Sequence, residues 1–174
     1  NINWALDPTH SEIGFKVKHL MITNVSGSFT KFNVEASSED ESFKKASIVF
    51  TADIDSITTN NEQRDGHLKS PDFFDSANHP QLVIKADGLE GEGENRKLNG
   101  TLTMRGVTKP ISMNVEFGGV AKDPWGNTKA GFTLAGKINR KDFGLSWNAA
   151  TETGGILLSE EVKLALNVQM TKQA

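Results

Sequence analysis

The sequence predicts a mainly β domain: an antiparallel barrel of about eight strands, with a short helix in the crossover between the third and fourth strands. Three observations carry this reading. Apolar residues recur with period two in run after run. Turn residues separate the runs. One segment between them loses the period and carries helix-capping residues instead.

The strands follow in order. Between Glu12 and Leu20, Ile13, Phe15, Val17 and His19 share one face, and Glu12, Lys16 and Lys18 take the other. Val25 to Val34 changes phase between Phe29 and Phe32, which predicts a β-bulge near Thr30-Lys31. From Ala46 to Ile54 the inward set is Ala46, Ile48, Phe50, Ala52 and Ile54. Leu82, Ile84 and Ala86 form a short strand after His79-Pro80. The next inward sets are Leu98, Gly100, Leu102 and Met104, then Ile111, Met113, Val115 and Phe117. Phe132, Leu134, Gly136 and Ile138 follow, and the last run offers Val162, Leu164, Leu166, Val168 and Met170. One apolar and one polar face per run is the antiparallel pattern. Turn chemistry lies at Gly91-Glu92-Gly93-Glu94-Asn95, Arg105-Gly106-Val107-Thr108 and Asp123-Pro124-Trp125-Gly126-Asn127.

Thr59-Asn60-Asn61-Glu62 fits a capping box, with Thr59 as N-cap and Glu62 reaching back. A short helix is then expected over Gln63 to Lys69, ending before Ser70-Pro71. Arg64 and Asp65 are adjacent, so they do not face each other on a helix. Each is expected to pair elsewhere, in a rim network or with a ligand headgroup. Beyond the helix, Phe73 and Phe74 either plug a barrel end or line a portal.

The chain has 174 residues, 36% hydrophobic and 24% charged, with a net charge of −3, which suits one folded domain and no nucleic-acid partner. It has no cysteine, which excludes disulfides, thiol nucleophiles and thiolate metal sites. No run reaches the ~18 apolar residues of a membrane span, so no stable membrane insertion is expected. The chain begins at Asn1 rather than Met, so an upstream segment is expected either to have been removed or to lie outside this sequence. The compartment stays open: periplasmic if that segment was an export signal, otherwise cytoplasmic.

His10, His19, His67 and His79 form no metal-ligand spacing, and no metal or cofactor is expected. Ser11 points away from His10 on a strand, and no Gly-x-Ser-x-Gly elbow exists. No catalytic residue is expected. The inward sets mix large and small side chains, which fits either a filled, interdigitated core or an apolar tunnel.

The run from Trp4 to His19, WALDPTHSEIGFKVKH, resembles the start of the YceI-like, polyisoprenoid-binding family. Asn61 to Leu68, Phe73-Phe74-Asp75 and His79-Pro80 are similar to its central crossover. Gly100 to Pro110 resembles its hairpin, and Asn139 to Leu145 its penultimate segment. The resemblance covers essentially the whole chain. It implies a lipocalin-like extended barrel with an elongated apolar cavity for isoprenoid quinones, polyprenyl chains or fatty-acid derivatives, and it supplies no catalytic residues.

One continuous tunnel is therefore expected. Its strand lining is Phe15, Val17, Phe50, Leu102, Met104, Met113, Phe132, Leu134 and Leu164, and Leu68, Phe73 and Phe74 join from the crossover. His19, near its strand end, either offers a hydrogen bond to a ligand headgroup or serves as a rim residue. The expected function is carriage or sequestration of a long apolar lipid, with a homodimer allowed. The alternatives are an enzyme acting on such lipids and a structural interaction domain with a filled barrel.

Overall fold

The structure, a computed structural model, describes residues 1–19, 22–145 and 158–174, with His19 and Leu158 by backbone alone. Its strands are β1 (Ile2–Leu6), β2 (Glu12–His19), β3 (Thr23–Phe29), β4 (Phe32–Ser38), β5 (Ala46–Asp53), β6 (Ile57–Thr58), β7 (Gln81–Glu90), β8 (Asn95–Met104), β9 (Val107–Lys122), β10 (Thr128–Asn139) and β11 (Leu158–Lys172), with one α-helix among the described residues, α1 (Glu62–Lys69). All pairings are antiparallel. Strands β1, β4, β5, β7, β8, β9, β10 and β11 run in that order, and β1 returns to β11 to close the ring. Strands β2, β3 and β6 continue the sheet from the same edge of β11 that meets β1, earlier along that strand.

The segment count exceeds the expected eight because three long strands are each interrupted. Strands β1 and β2 both lie along β11, with Leu6 opposite Met170 and Glu12 opposite Asn167. Between them Pro8 opens a 3-10 turn over Pro8–His10, since proline fixes φ and lacks the N–H a ladder needs. The break between β3 and β4 falls at Thr30-Lys31, where the apolar phase changes. A second 3-10 turn, Ile54–Ser56, separates β5 from β6. The expected helix position between the third and fourth strands is corrected accordingly: α1 follows the sixth. Strand β1 was not expected from the sequence.

The helix N-cap also differs from expectation. Asn61 caps it, its side chain accepting from the Arg64 amide at 3.0 Å. Thr59 is drawn into another task. Its amide and its hydroxyl both donate to Asp65 Oδ1, at 2.8 and 2.5 Å. Arg64 Nε donates to Thr59 Oγ1 at 2.8 Å, and Arg64 Nη2 to Thr59 O at 2.9 Å. Arg64 and Asp65 thus meet at a third residue, Thr59.

The inward faces of β4, β5, β7, β8 and β9 supply most of the core. At one end Phe43 enters from the β4–β5 connection with φ +58 and 1% exposure. Its ring lies 4.9 Å from Trp4, 5.7 Å from Phe117 and 4.9 Å from Phe132. Left-handed backbone costs a side-chain-bearing residue ~1–2 kcal/mol, and burying a phenylalanine returns ~1.5–3 kcal/mol. Burial wins here, and the loop is pulled into the barrel mouth. Trp4 Nε1 is satisfied by Ser38 Oγ at 2.9 Å, so this aromatic plug strands no donor.

Candidate ligand-binding site

The other half of the interior is less full. A cavity of about 80 Å³ lies under the crossover, and its wall is apolar throughout. Phe15 and Val17 come from β2, Leu102 and Met104 from β8, Leu164 from β11, and Leu68 from α1. Phe73 and Phe74 close it from the crossover, 4% and 8% exposed. The inward side chains of Phe15, Val17, Ile138, Val162 and Leu164 are only partly buried. All five line the cavity, and Phe15 and Leu164 also border open space on the outer side of the sheet.

Local geometry explains why these side chains gather. Phe15 lies across Gly27 on the neighbouring strand: a Cβ there would come within 2.3 Å of the Phe15 ring. The crossover turns on itself through Phe73 N to Ser70 O at 3.0 Å and Phe74 N to Leu68 O at 2.9 Å. This tight turn rotates both rings inward, and Phe74 meets Phe29 edge-on at 6.2 Å. Arg140 contributes its stem to the wall. Its guanidinium is directed to the backbone, Nε donating to Ser159 O at 2.9 Å and Nη1 to Leu145 O at 2.6 Å. Burial lowers its pKa, against an opposing pull from Glu160.

One continuous tunnel is not what the side chains form. A second void of about 20 Å³ lies toward the aromatic plug, and Phe50, Phe132 and Leu134 line that one. Met113 lines neither; it sits against Gly136, the directly opposed residue on β10, and fills the space a side chain there would take. Interdigitation of large and small residues across facing strands divides the interior. Leu102, fully excluded from solvent, belongs to the larger void. The His19 side chain lies outside the described residues. Lining residues missed from the sequence are Phe29, Leu82, Ile138, Arg140, Leu145 and Val162. Ile138 and Val162 carried the period-two signal; Arg140 and Leu145 lie in a non-repetitive segment where no such signal exists.

The histidines with described side chains stand apart. His10 Nδ1 is 2.9 Å from Asp7 Oδ2, and His67 Nε2 is 2.9 Å from Asp72 Oδ2. His79 packs beside Gly106 in the β8–β9 turn. No group of metal-binding residues occurs among the described residues. The Asp7 carboxyl is held well below the usual carboxylate range, first by the Thr9 hydroxyl and then by His10 and Lys129, against opposing desolvation.

A closed antiparallel barrel with one blind aromatic end and an apolar cavity at the other defines the class. The family model described as the YceI-like domain matches residues 4–170. A UPF0312 protein of Staphylococcus aureus is 36% identical over 170 residues, with 97% of both chains covered. The crystal structure of a Campylobacter jejuni YCEI protein is 36% identical, covers 97% of each chain and superposes with a TM-score of 0.78. A polyisoprenoid binding domain from Saccharophagus degradans shares the fold at 13% identity, with a TM-score of 0.72 over 99% of this chain and 100% of that one. The chain belongs to the YceI-like family.

Proposed function

We propose that the barrel binds a long-chain apolar lipid, such as a polyisoprenoid, an isoprenoid quinone or a fatty-acid derivative, and carries or sequesters it without catalysis. The observation that carries this reading is the apolar cavity whose inward side chains Phe15, Val17, Ile138, Val162 and Leu164 stay partly exposed. Unfilled apolar surface inside a barrel is surface that a hydrocarbon would cover, at about 0.8 kcal/mol per methylene before ordering costs. The name of the Saccharophagus degradans relative, a polyisoprenoid binding domain, points the same way.

The cavity of about 80 Å³ is small beside ligand pockets of roughly 300–1,000 Å³. Binding therefore requires the crossover to swing outward, with Phe73 and Phe74 leaving their seats. Among the described residues, no acid, base or nucleophile faces the cavity, which supports a binding role over a hydrolytic one. The test is native mass spectrometry of purified protein incubated with geranylgeraniol or palmitate. A stoichiometric adduct lost in Leu102→Asp is expected. A bare mass with both ligands, in protein shown to be folded, would leave the filled structural domain as the better account.

A further inference from the structure

The outer face of the barrel carries a feature that lipid storage inside does not use. Lys137 on β10, Lys163 on β11 and Lys16 on β2 are direct cross-strand partners, Lys137 opposite Lys163 and Lys163 opposite Lys16. Like charges facing each other across a ladder destabilise the sheet. All three are exposed, and they line one open trough of about 1020 Å³ together with Lys97. Strands β10, β11 and β2 are paired on both sides, so these lysines guard no sheet edge. The trough holds four lysines against one glutamate, Glu12, in a chain of net charge −3. Lys137 pairs with Glu161 at 3.3 Å, but Lys16, Lys97 and Lys163 have no acidic partner among the described residues. Glu12 is occupied in accepting from Asn167 Nδ2 at 2.9 Å.

We infer that this trough is the docking surface for an extended acidic segment of a partner protein. The row beside the lysines is small, with Ala135 opposite Ala165 and Ala165 opposite Gly14, and this makes the surface a depression. Seven neighbouring strands, from β8 through β9, β10, β11, β2 and β3 to β6, contribute to it, a span of roughly 29 Å at ~4.8 Å per spacing, which matches about nine extended residues. A flat anionic bilayer fits a concave surface poorly. Nucleic-acid strands are normally held by outward aromatic rings as well as cations. Phe15, the aromatic residue bordering the trough, turns its ring to the interior.

Fluorescence anisotropy with a labelled ten-residue Glu/Ser peptide tests the inference, with the Gln/Ser peptide, phosphatidylglycerol vesicles and a single-stranded oligonucleotide as comparators. The Glu/Ser peptide is expected to bind, more weakly as salt rises, and to lose about tenfold in Lys163→Glu. That variant interleaves opposite charges along the row, so its melting temperature is expected to hold or rise. Equal binding of the Gln/Ser peptide, no loss in Lys163→Glu, or tighter binding of vesicles or oligonucleotide would each overturn it. Because the readout is independent of lipid content, it stands or falls apart from the interior site.

Discussion

Arg105, at the turn between β8 and β9, reaches Gly144 and donates from Nη1 to its carbonyl oxygen at 2.8 Å. The same guanidinium donates from Nη2 to Pro71 O at 2.8 Å, at the start of the crossover loop. One side chain thereby clasps the two loops that carry Phe73, Phe74 and Leu145 over the cavity. Its Nε is buried without a hydrogen-bond partner among the described residues, so the clasp forgoes one of its bonds. Gly144 lies at φ +79, and a Cβ there would come within 2.9 Å of Arg105 Nη1.

Removing this clasp is expected to loosen the cover while the barrel stands. Arg105→Ala should cost about 1–2 kcal/mol of stability. Amide exchange at Phe73, Phe74 and Leu145 should accelerate by about tenfold, equivalent to 1.4 kcal/mol, with little change in β5 or β8. Hydrogen exchange resolved by mass spectrometry reads this out. Acceleration spread evenly over all strands would show a global rather than local effect.

Thr59 gives a second handle on the same region from the other side. Thr59→Val keeps the shape but removes the hydroxyl shared by Arg64 and Asp65. Losing a hydrogen bond to a charged group costs ~1.5–3 kcal/mol. Chemical denaturation should show a loss in that range, and Thr59→Ser should recover most of it.

Leu102 tests the interior. At 0% exposure, Leu102→Ala is expected to cost ~2–5 kcal/mol and to enlarge the cavity. Leu102→Asp buries an unpaired carboxylate and should be the more damaging of the two at neutral pH. Lowering the pH toward 4 should narrow the gap between them, because the protonated acid is cheaper to bury. Thermal melts of both variants at pH 7 and pH 4.5 measure this.

Asp7 links folding to acid. Its folded pKa lies below the unfolded value of 3.8, so it contributes stability that is complete above pH 3.8 and declines as pH falls toward the folded pKa. Asp7→Asn should therefore destabilise at pH 7 by about 1.5 kcal/mol, with the difference shrinking below pH 4. A difference that stays constant down to pH 2 would assign the loss to packing instead.

Strand identity was legible because one face of each strand meets the core and the other meets water, as the alternating burial of Ala46–Asp53 shows. The irregularity at Thr30-Lys31 was legible as a change of apolar phase, but it was read as a bulge within one strand, whereas the strand ends at Phe29 and a new one starts at Phe32. The short strand Ile2–Leu6 was not, since Trp4 is its one buried residue and five residues give too few periods to read. Thr59 and Asn61 are both good caps by type, and the choice between them depended on where Asp65 found its partner. The division of the interior was equally hidden. Whether Met113 fills the gap beside Gly136 depends on register, which the sequence does not state. Phe43 left one clue, a lone aromatic in the polar run from Glu39 to Lys45, but nothing local says that it turns inward.

That inward turn of Phe43 makes the barrel a sleeve closed at the bottom, not a pipe. A chain-like guest would have to go in by one tip and back out along the same path. The tip that leads would be the hydrocarbon one, since the floor is Trp4, Phe43, Phe117 and Phe132. The trailing end would come to rest beneath the loops held by Arg105, and there alone would the protein sample what distinguishes one guest from another. Loading and release would be the same motion run in opposite directions, so whatever governs the crossover would set both rates together.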